Sequence, residues 1–303
     1  MTLYRPLVHL DGISLGYHYK QVLDEDGTEW ILTNFTGWWD GPPVRTNRTD
    51  RPSGSGSFRG PAYRGARVIT IEGTMTARDE DSLQRARDRI TGWCANQREL
   101  HPLQVDEING ARFVDVELDD QPITKPRTPW SDTFSLQVAA PDPRKYGPWE
   151  STSTGMAQPG IGGVDASDPG ASATEPGLSA GEPASTGVAR VFNSGTADSS
   201  PLLTVQGPVV RPVIREVDTG TSLSYSGTLA AGEFLVINTG PFAAKGYPGY
   251  QPLLGGTANR RNLLTRDGPW PLIPAGGTAG FALDAMGLDP NALLIVEHRQ
   301  AWH

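Results

Sequence analysis

Residues 151–187 constrain this chain more than any other stretch. They read STSTGMAQPGIGGVDASDPGASATEPGLSAGEPASTG, and 28 of these 37 residues are Gly, Pro, Ser, Thr or Ala. The stretch carries no aromatic and no basic residue. Such a segment cannot bury enough apolar surface to offset the entropy lost on ordering it. It therefore reads as a linker, with only Ile161 and Val164 offering a local anchor. The chain has 303 residues, and a single hydrophobic core stops growing near roughly 250–300. The expected organisation is a first domain over 1–150, the Gly/Pro/Ser/Ala-rich linker over 151–187, and a second domain over 188–303.

Glycine (36) and proline (26) make up about a fifth of the chain, against a usual total near 12%. So much turn chemistry argues for many short strands and against a helical bundle. Before the linker, period-two patterns dominate. Tyr17–Leu23 and Glu29–Phe35 flank the turn Asp24-Glu25-Asp26-Gly27, a hairpin signal. Arg67–Thr76 places Ile69 and Ile71 on one face. Phe113–Leu118 turns Val114, Val116 and Leu118 inward and Asp115 and Glu117 outward. Phe134, Leu136 and Val138 alternate with Ser135 and Gln137. Residues 40–66, rich in Gly, Pro and Arg, read as a long exposed loop.

One helix is expected. Asp79 suits its N-cap, and Glu80 and Asp81 suit the positive end of its dipole. Leu83, Ala86, Ile90, Trp93 and Cys94 recur on one face at helical spacing. The pattern predicts an amphipathic helix of about four or five turns packed on a sheet. After the linker only strands are expected: Ala189–Asn193, Leu202–Gln206, Ser222–Ser226, Phe234–Asn238 and Leu293–His298, at a spacing that suits a β-sandwich.

Charge and composition exclude several function classes. Lys+Arg is 26 against 34 Asp+Glu, a net of −8, and none of the segments 1–150, 151–187 and 188–303 is basic overall. Affinity for nucleic acid rests on cationic neutralisation of phosphates, so a wrapped nucleic acid is not expected. The longest run of large apolar residues is Leu293–Val296, far short of the ~20 a membrane helix needs. No secretory leader is read in the first residues. With Cys94 alone, the reading excludes an intrachain disulfide and any cysteine-based zinc site. His9, His18, His101, His298 and His303 show no metal-ligand spacing.

Each catalytic motif fails on context. Gly12-Ile13-Ser14-Leu15-Gly16 matches G-x-S-x-G, but a strand continues where that motif needs a helix, so it reads as a turn between strands. Asp24-Glu25-Asp26-Gly27 begins like a calcium loop, yet position twelve is Phe35 instead of Glu. Gly54, Gly56 and Gly60 miss the dinucleotide spacing, because position 59 is Arg59. Asp115, Glu117, Asp119 and Asp120 read as a solvated strand face. No catalytic, cofactor or metal residue is therefore assigned, and no cofactor is expected. Tyr247, Tyr250, Trp270 and Trp302 could stack on sugar rings, although aromatic residues more often fill cores and interfaces.

Four stretches resemble the distal tail protein family of long-tailed bacteriophages, known in phages of actinobacteria as minor tail proteins. Leu10-Asp11-Gly12-Ile13-Ser14-Leu15-Gly16 is similar to the family's first strand pair. Arg67-Val68-Ile69-Thr70-Ile71-Glu72-Gly73 followed by the Asp79–Trp93 helix resembles its strand-then-helix signature. Phe134–Tyr146, ending APDPRKY, resembles the close of its first domain. Val191-Phe192-Asn193-Ser194-Gly195, Pro201–Pro208 and Gly232–Ile237 resemble its second.

The resemblance implies a mainly β fold with one amphipathic helix. An N-terminal split β-barrel-like domain would build a ring, and a C-terminal galectin-like β-sandwich would project from it. It implies a non-enzymatic virion protein, a homo-hexamer at the tail tip assembled in the host cytoplasm. Its partners would be the tail tube protein, the tape-measure protein and the baseplate hub, with DNA passing through the lumen and no membrane involved. Head-to-tail closure of a ring needs two different patches per subunit. Arg45, Arg48 and Arg51 are the candidate cationic patch, and Asp115, Glu117 and Asp119 its candidate complement. The alternative is a carbohydrate-binding adhesion module that uses Tyr247, Tyr250 and Trp270.

Overall fold

The structure, a computed structural model, describes residues 6–17, 23–96, 98–157, 187–287 and 289–303. It divides into two compact units, 1–148 with 302–303, and 149–301. The chain is mainly β with one α-helix among the described residues.

The first unit is built from β1 (Leu7–Leu10), β2 (Ile13–Leu15), β3 (Glu29–Thr36), β4 (Val44–Asp50), β5 (Ser57–Arg64), β6 (Arg67–Thr76), α1 (Glu80–Gly92), β7 (His101–Glu107), β8 (Gly110–Leu118), β9 (Ile123–Thr128), β10 (Ser131–Ala140) and the start of β11 (Lys145–Gly155). One run of pairings reads β2-β1-β7-β8. Another reads β3-β6-β10-β9. The β8–β10 pair, Val138 opposite Leu118 and Ala139 opposite Glu117, joins the two. At the other end, among the described residues, one isolated parallel bridge, Gly16 to Ile31, brings them together. A single bridge is not a ladder, so among the described residues the sheet curls towards a barrel without closing, in keeping with the split-barrel expectation.

The core follows from the period-two faces. Val8, Leu10, Ile13 and Leu15 point inward with Ile69, Ile71, Met75, Val114, Val116, Leu136 and Val138. Helix α1 starts where expected: Asp79 is the N-cap and its Oδ1 accepts the Ser82 N–H at 2.7 Å. Thirteen residues long, it makes fewer turns than the sequence suggested, because Trp93 leaves helical geometry as the C-cap. Trp30, Trp93 and Phe134 meet with ring centroids 5.8–5.9 Å apart. Phe134 can lie there because position 73 is glycine; a Cβ at Gly73 would stand 2.4 Å from its ring. Arg87 reaches the buried Asp132 with two hydrogen bonds of 2.6 and 3.1 Å, fastening the helix to β10.

The second unit contains β12 (Val188–Asn193), β13 (Leu202–Gln206), β14 (Val209–Val210), β15 (Val213–Glu216), β16 (Ser222–Tyr225), β17 (Thr228–Leu229), β18 (Phe234–Asn238), β19 (Pro252–Leu254), β20 (Ala258–Asn259), β21 (Leu264–Asp267), β22 (Gly277–Asp284) and all but the last residue of β23 (Leu293–Trp302). Two layers form, β12-β22-β15-β16-β21 and β23-β13-β18-β19-β20. Leu203, Val205, Leu235, Ile237, Leu294 and Val296 face Ile214, Leu223, Phe281 and Leu283 across one core. This is the expected sandwich. All five strands read from the sequence are present.

Two expectations change. Residues 40–66 hold an antiparallel hairpin, β4–β5, with a register shift between Thr46 and Arg48, and not a loop. Strand 145–155 runs into the segment read as linker, with residues 151–155 still in β11. The rest of that segment, 158–186, lies outside the described residues, as does most of the strand expected at Tyr17–Leu23.

Candidate functional site

The hairpin β4–β5 forms a two-stranded sheet of its own. Every residue of β4 is exposed. Val44, Phe58 and Tyr63 are more than half exposed, at 58%, 58% and 65%. A lone hairpin with no buried face is marginal in water, and its unpaired edges invite another chain. Arg45 lies opposite Tyr63 in the register. The Arg51 guanidinium sits 5.5 Å above the Phe58 ring. Arg48 is exposed on the same strand. The arm thus presents cations and apolar rings together, a composition that favours protein contact.

Its root is the opposite. Arg67 is 1% exposed. Its Nη1 donates to the carbonyls of Gly37, Trp38 and Asp40 at 2.8, 3.0 and 2.6 Å, and its Nε to that of Pro143 at 3.0 Å. Burial pulls its pKa down, and Asp40 partly offsets this. The Lys145 ammonium donates to the Trp38 carbonyl at 3.2 Å and lies 5.5 Å from the Trp38 ring. Burial, then the Arg67 charge, pull its pKa down to about 8. The Trp38 indole N–H donates to Glu107 at 2.7 Å. Gly37, at φ 83°, fits only as glycine: a Cβ would stand 2.0 Å from the Val68 carbonyl oxygen. Segment 37–40, which leads into the arm, is clamped by two buried cations. Sequence reasoning missed this cluster, although Arg67 stands in phase with Ile69 and Ile71 on the inward face of β6.

The acidic candidates lie on the outer face of β8 and just beyond it. Asp115, Glu117 and Asp119 are exposed, and Asp119 accepts a 2.7 Å hydrogen bond from the Gln137 amide. The aromatic candidates converge only in part. Tyr250 and Trp270 stack at 5.1 Å and 24°, with Arg261 and Arg266 5.6 and 5.3 Å from the Trp270 ring. Tyr247 lies instead against Gly256. In the other unit, Trp302 sits 4.1 Å beneath the Arg112 guanidinium.

The rejected motifs have definite places. Asp11-Gly12 is the left-handed turn, φ 46° and 76°, of the β1–β2 hairpin. Ser14 lies within the β2 ladder opposite His9, not on a strand-to-helix elbow. Ser14 Oγ is 2.6 Å from His9 Nδ1, and His9 Nε2 is 3.2 Å from Asp106. This is a cross-strand polar row on the outward face. Asp24 closes its turn by accepting the Asp26 and Thr28 N–H groups on one oxygen, and the Trp30 indole and Arg89 on the other. Both oxygens are taken up by hydrogen bonds within the fold.

One grouping was not read from the sequence. The β1–β2 turn, the end of α1 and the start of β7 bring Asp11, Cys94 and His101 together, their donor atoms all within 4.8 Å of one another. A single cysteine does not preclude a mixed site, and separations of 83 and 90 residues carry no local spacing signal. Burial, then the Asp11 charge, push the Cys94 thiol up to about 12.

No family model matches the sequence, and no curated protein does. Solved structures do. The crystal structure of the SPP1 Dit protein (gp 19.1), described as a paradigm of the hub adsorption apparatus in phages infecting Gram-positive hosts, matches with a TM-score of 0.62 and 11% identity, over 99% of this chain and 100% of that one. The phage P2 baseplate in its activated conformation matches with TM-scores of 0.54 with calcium and 0.52 with strontium. Identities are 12% and 11%, over 97% of this chain and 98% of those. The chain has the fold of these phage tail proteins along its whole length.

Proposed function

We propose that this chain is a structural subunit of a phage tail tip that assembles as a six-copy ring. In that ring the β4–β5 arm of one copy lies against the acidic face of β8 on the next. The observation that carries the reading is the arm itself: a hairpin whose first strand is exposed at every residue, with cationic and apolar side chains, held on a buried root. Whole-chain likeness to Dit and baseplate structures supports the setting. On this reading the first unit builds the ring between the tail tube protein and the baseplate hub, at the virion tail tip. The tape-measure protein and DNA pass through the lumen, where a net charge of −8 discourages sticking. No catalysis is assigned.

Charge reversal tests the pairing. Mass photometry of Asp115→Lys with Glu117→Lys is expected to lose six-copy particles at concentrations where the unaltered chain keeps them, and to recover them with Arg45→Glu and Arg48→Glu added. Hexamers unchanged by the first pair would reject the pairing. A glycan-binding role for the second unit draws only on the Tyr250–Trp270 stack, whose rings already contact each other and two guanidinium groups. Glycan binding lost in Trp270→Ala would favour it.

A further inference from the structure

We infer that Asp11, Cys94 and His101 form a transition-metal site, suited to zinc, that staples the end of α1 to the β1–β2 turn and the start of β7. Three donors of three chemical types arrive from three elements and meet within 4.8 Å. Bond lengths of about 2.0–2.3 Å around tetrahedral zinc place its ligand atoms about 3.2–3.8 Å apart. His101 Nδ1 and Asp11 Oδ1 already stand 3.0 Å apart, so small side-chain rotations complete the shell.

The surroundings aim these atoms at one point. The Cys94 backbone N–H donates to Asp11 Oδ2 at 2.9 Å, which leaves Oδ1 facing His101. His101 Nε2 lies 3.3 Å from the Asn96 carbonyl oxygen. A carbonyl only accepts, so Nε2 carries a hydrogen and Nδ1 is the atom turned to the carboxylate. A neutral ring would then set a lone pair against an anion, and something positive must lie between them, either a proton or a metal ion. A ligating histidine whose far nitrogen donates to a backbone carbonyl is the common arrangement around protein metals.

The third donor separates those two cases. The Cys94 thiol is free and 1% exposed, yet it is turned into this polar corner, where a simple imidazolium–carboxylate pair has no use for it. Thiolate, imidazole and carboxylate together select zinc over magnesium or calcium. Asp11 and His101 keep side-chain exposures of 28% and 17%, which leaves an entry path and room for water as fourth ligand. On binding, the Cys94 S–H proton passes to solvent, and thiolate plus carboxylate balance the divalent charge.

The test is a cobalt(II) titration of the metal-free full-length chain. One equivalent is expected to bind with an intense near-ultraviolet thiolate-to-cobalt band, displaced by one equivalent of zinc. Cys94→Ser should abolish the band, and His101→Ala should weaken binding at least tenfold. Absence of the band at excess cobalt, or equal binding by Cys94→Ser, overturns the site. If the variants do not fold, X-ray absorption of the zinc-loaded unaltered chain decides. One sulfur at ~2.3 Å with nitrogen or oxygen at ~2.0 Å supports the site, and a shell without sulfur contradicts it.

Discussion

The β4–β5 arm and the segment that roots it are four residues apart in sequence and stand at opposite ends of the burial scale. The arm exposes every residue of β4, while Trp38 and Arg67 at the root are 0% and 1% exposed. Two strands alone are marginal in water, whereas the Nη1 and Nε of the buried Arg67 hold four carbonyls in place. On the proposed assembly, the contrast teaches how a subunit can carry an element that a neighbour stabilises: it anchors the base inside its own core and leaves the shaft for the partner. Folding and assembly then depend on different residues, and they can be broken separately.

The largest expected effect is at the root. Arg67→Met removes the hydrogen bonds that a buried guanidinium donates to the carbonyls of Gly37, Trp38, Asp40 and Pro143, and hydrogen bonds to charged groups are worth roughly 1.5–3 kcal/mol each. A loss of about 3 kcal/mol or more is expected in urea unfolding of the chain. A loss below 1 kcal/mol would mean that the root is not held as described.

Lys145 gives a smaller, pH-dependent signature. Its pKa is about 8 in the folded chain and about 10.4 when unfolded. Between those values the unfolded state binds more protons, so stability rises with pH through this window. The stability of the unaltered chain relative to Lys145→Met should therefore climb between pH 7 and pH 10, by on the order of 2–3 kcal/mol. A flat difference would place the ammonium in a more solvated setting. The smallest effect on folding is expected from Phe58→Ser with Tyr63→Ser, within about 0.5 kcal/mol as for other exposed sites. The same pair should weaken self-association strongly. A large fall in Tm with normal assembly would reverse the roles of shaft and root.

The elements that were legible in the sequence are those whose side chains alternate between core and solvent. Ile69 and Ile71, Val114 and Val116, and Leu136 and Val138 each announced a strand, and Asp79 announced the start of the helix. The β4–β5 hairpin was illegible because neither face is buried, so no hydrophobic period exists and only backbone pairing defines it. Strand β22 was missed because it opens with Gly277-Thr278-Ala279-Gly280, small residues packed between neighbours. The arginines and acids named as assembly candidates were visible as clusters of charge. The Arg67–Lys145 clamp and the Asp11–Cys94–His101 grouping were not, because each joins residues brought together only by long-range pairing.

Mass photometry of the purified chain, alongside a version in which residues 44–64 are replaced by a short Gly-Ser turn, tests the central claim most directly. The intact chain is expected to form particles of six copies, and the shortened one to stay monomeric with its thermal unfolding intact. Rings formed equally well without the arm would contradict the account.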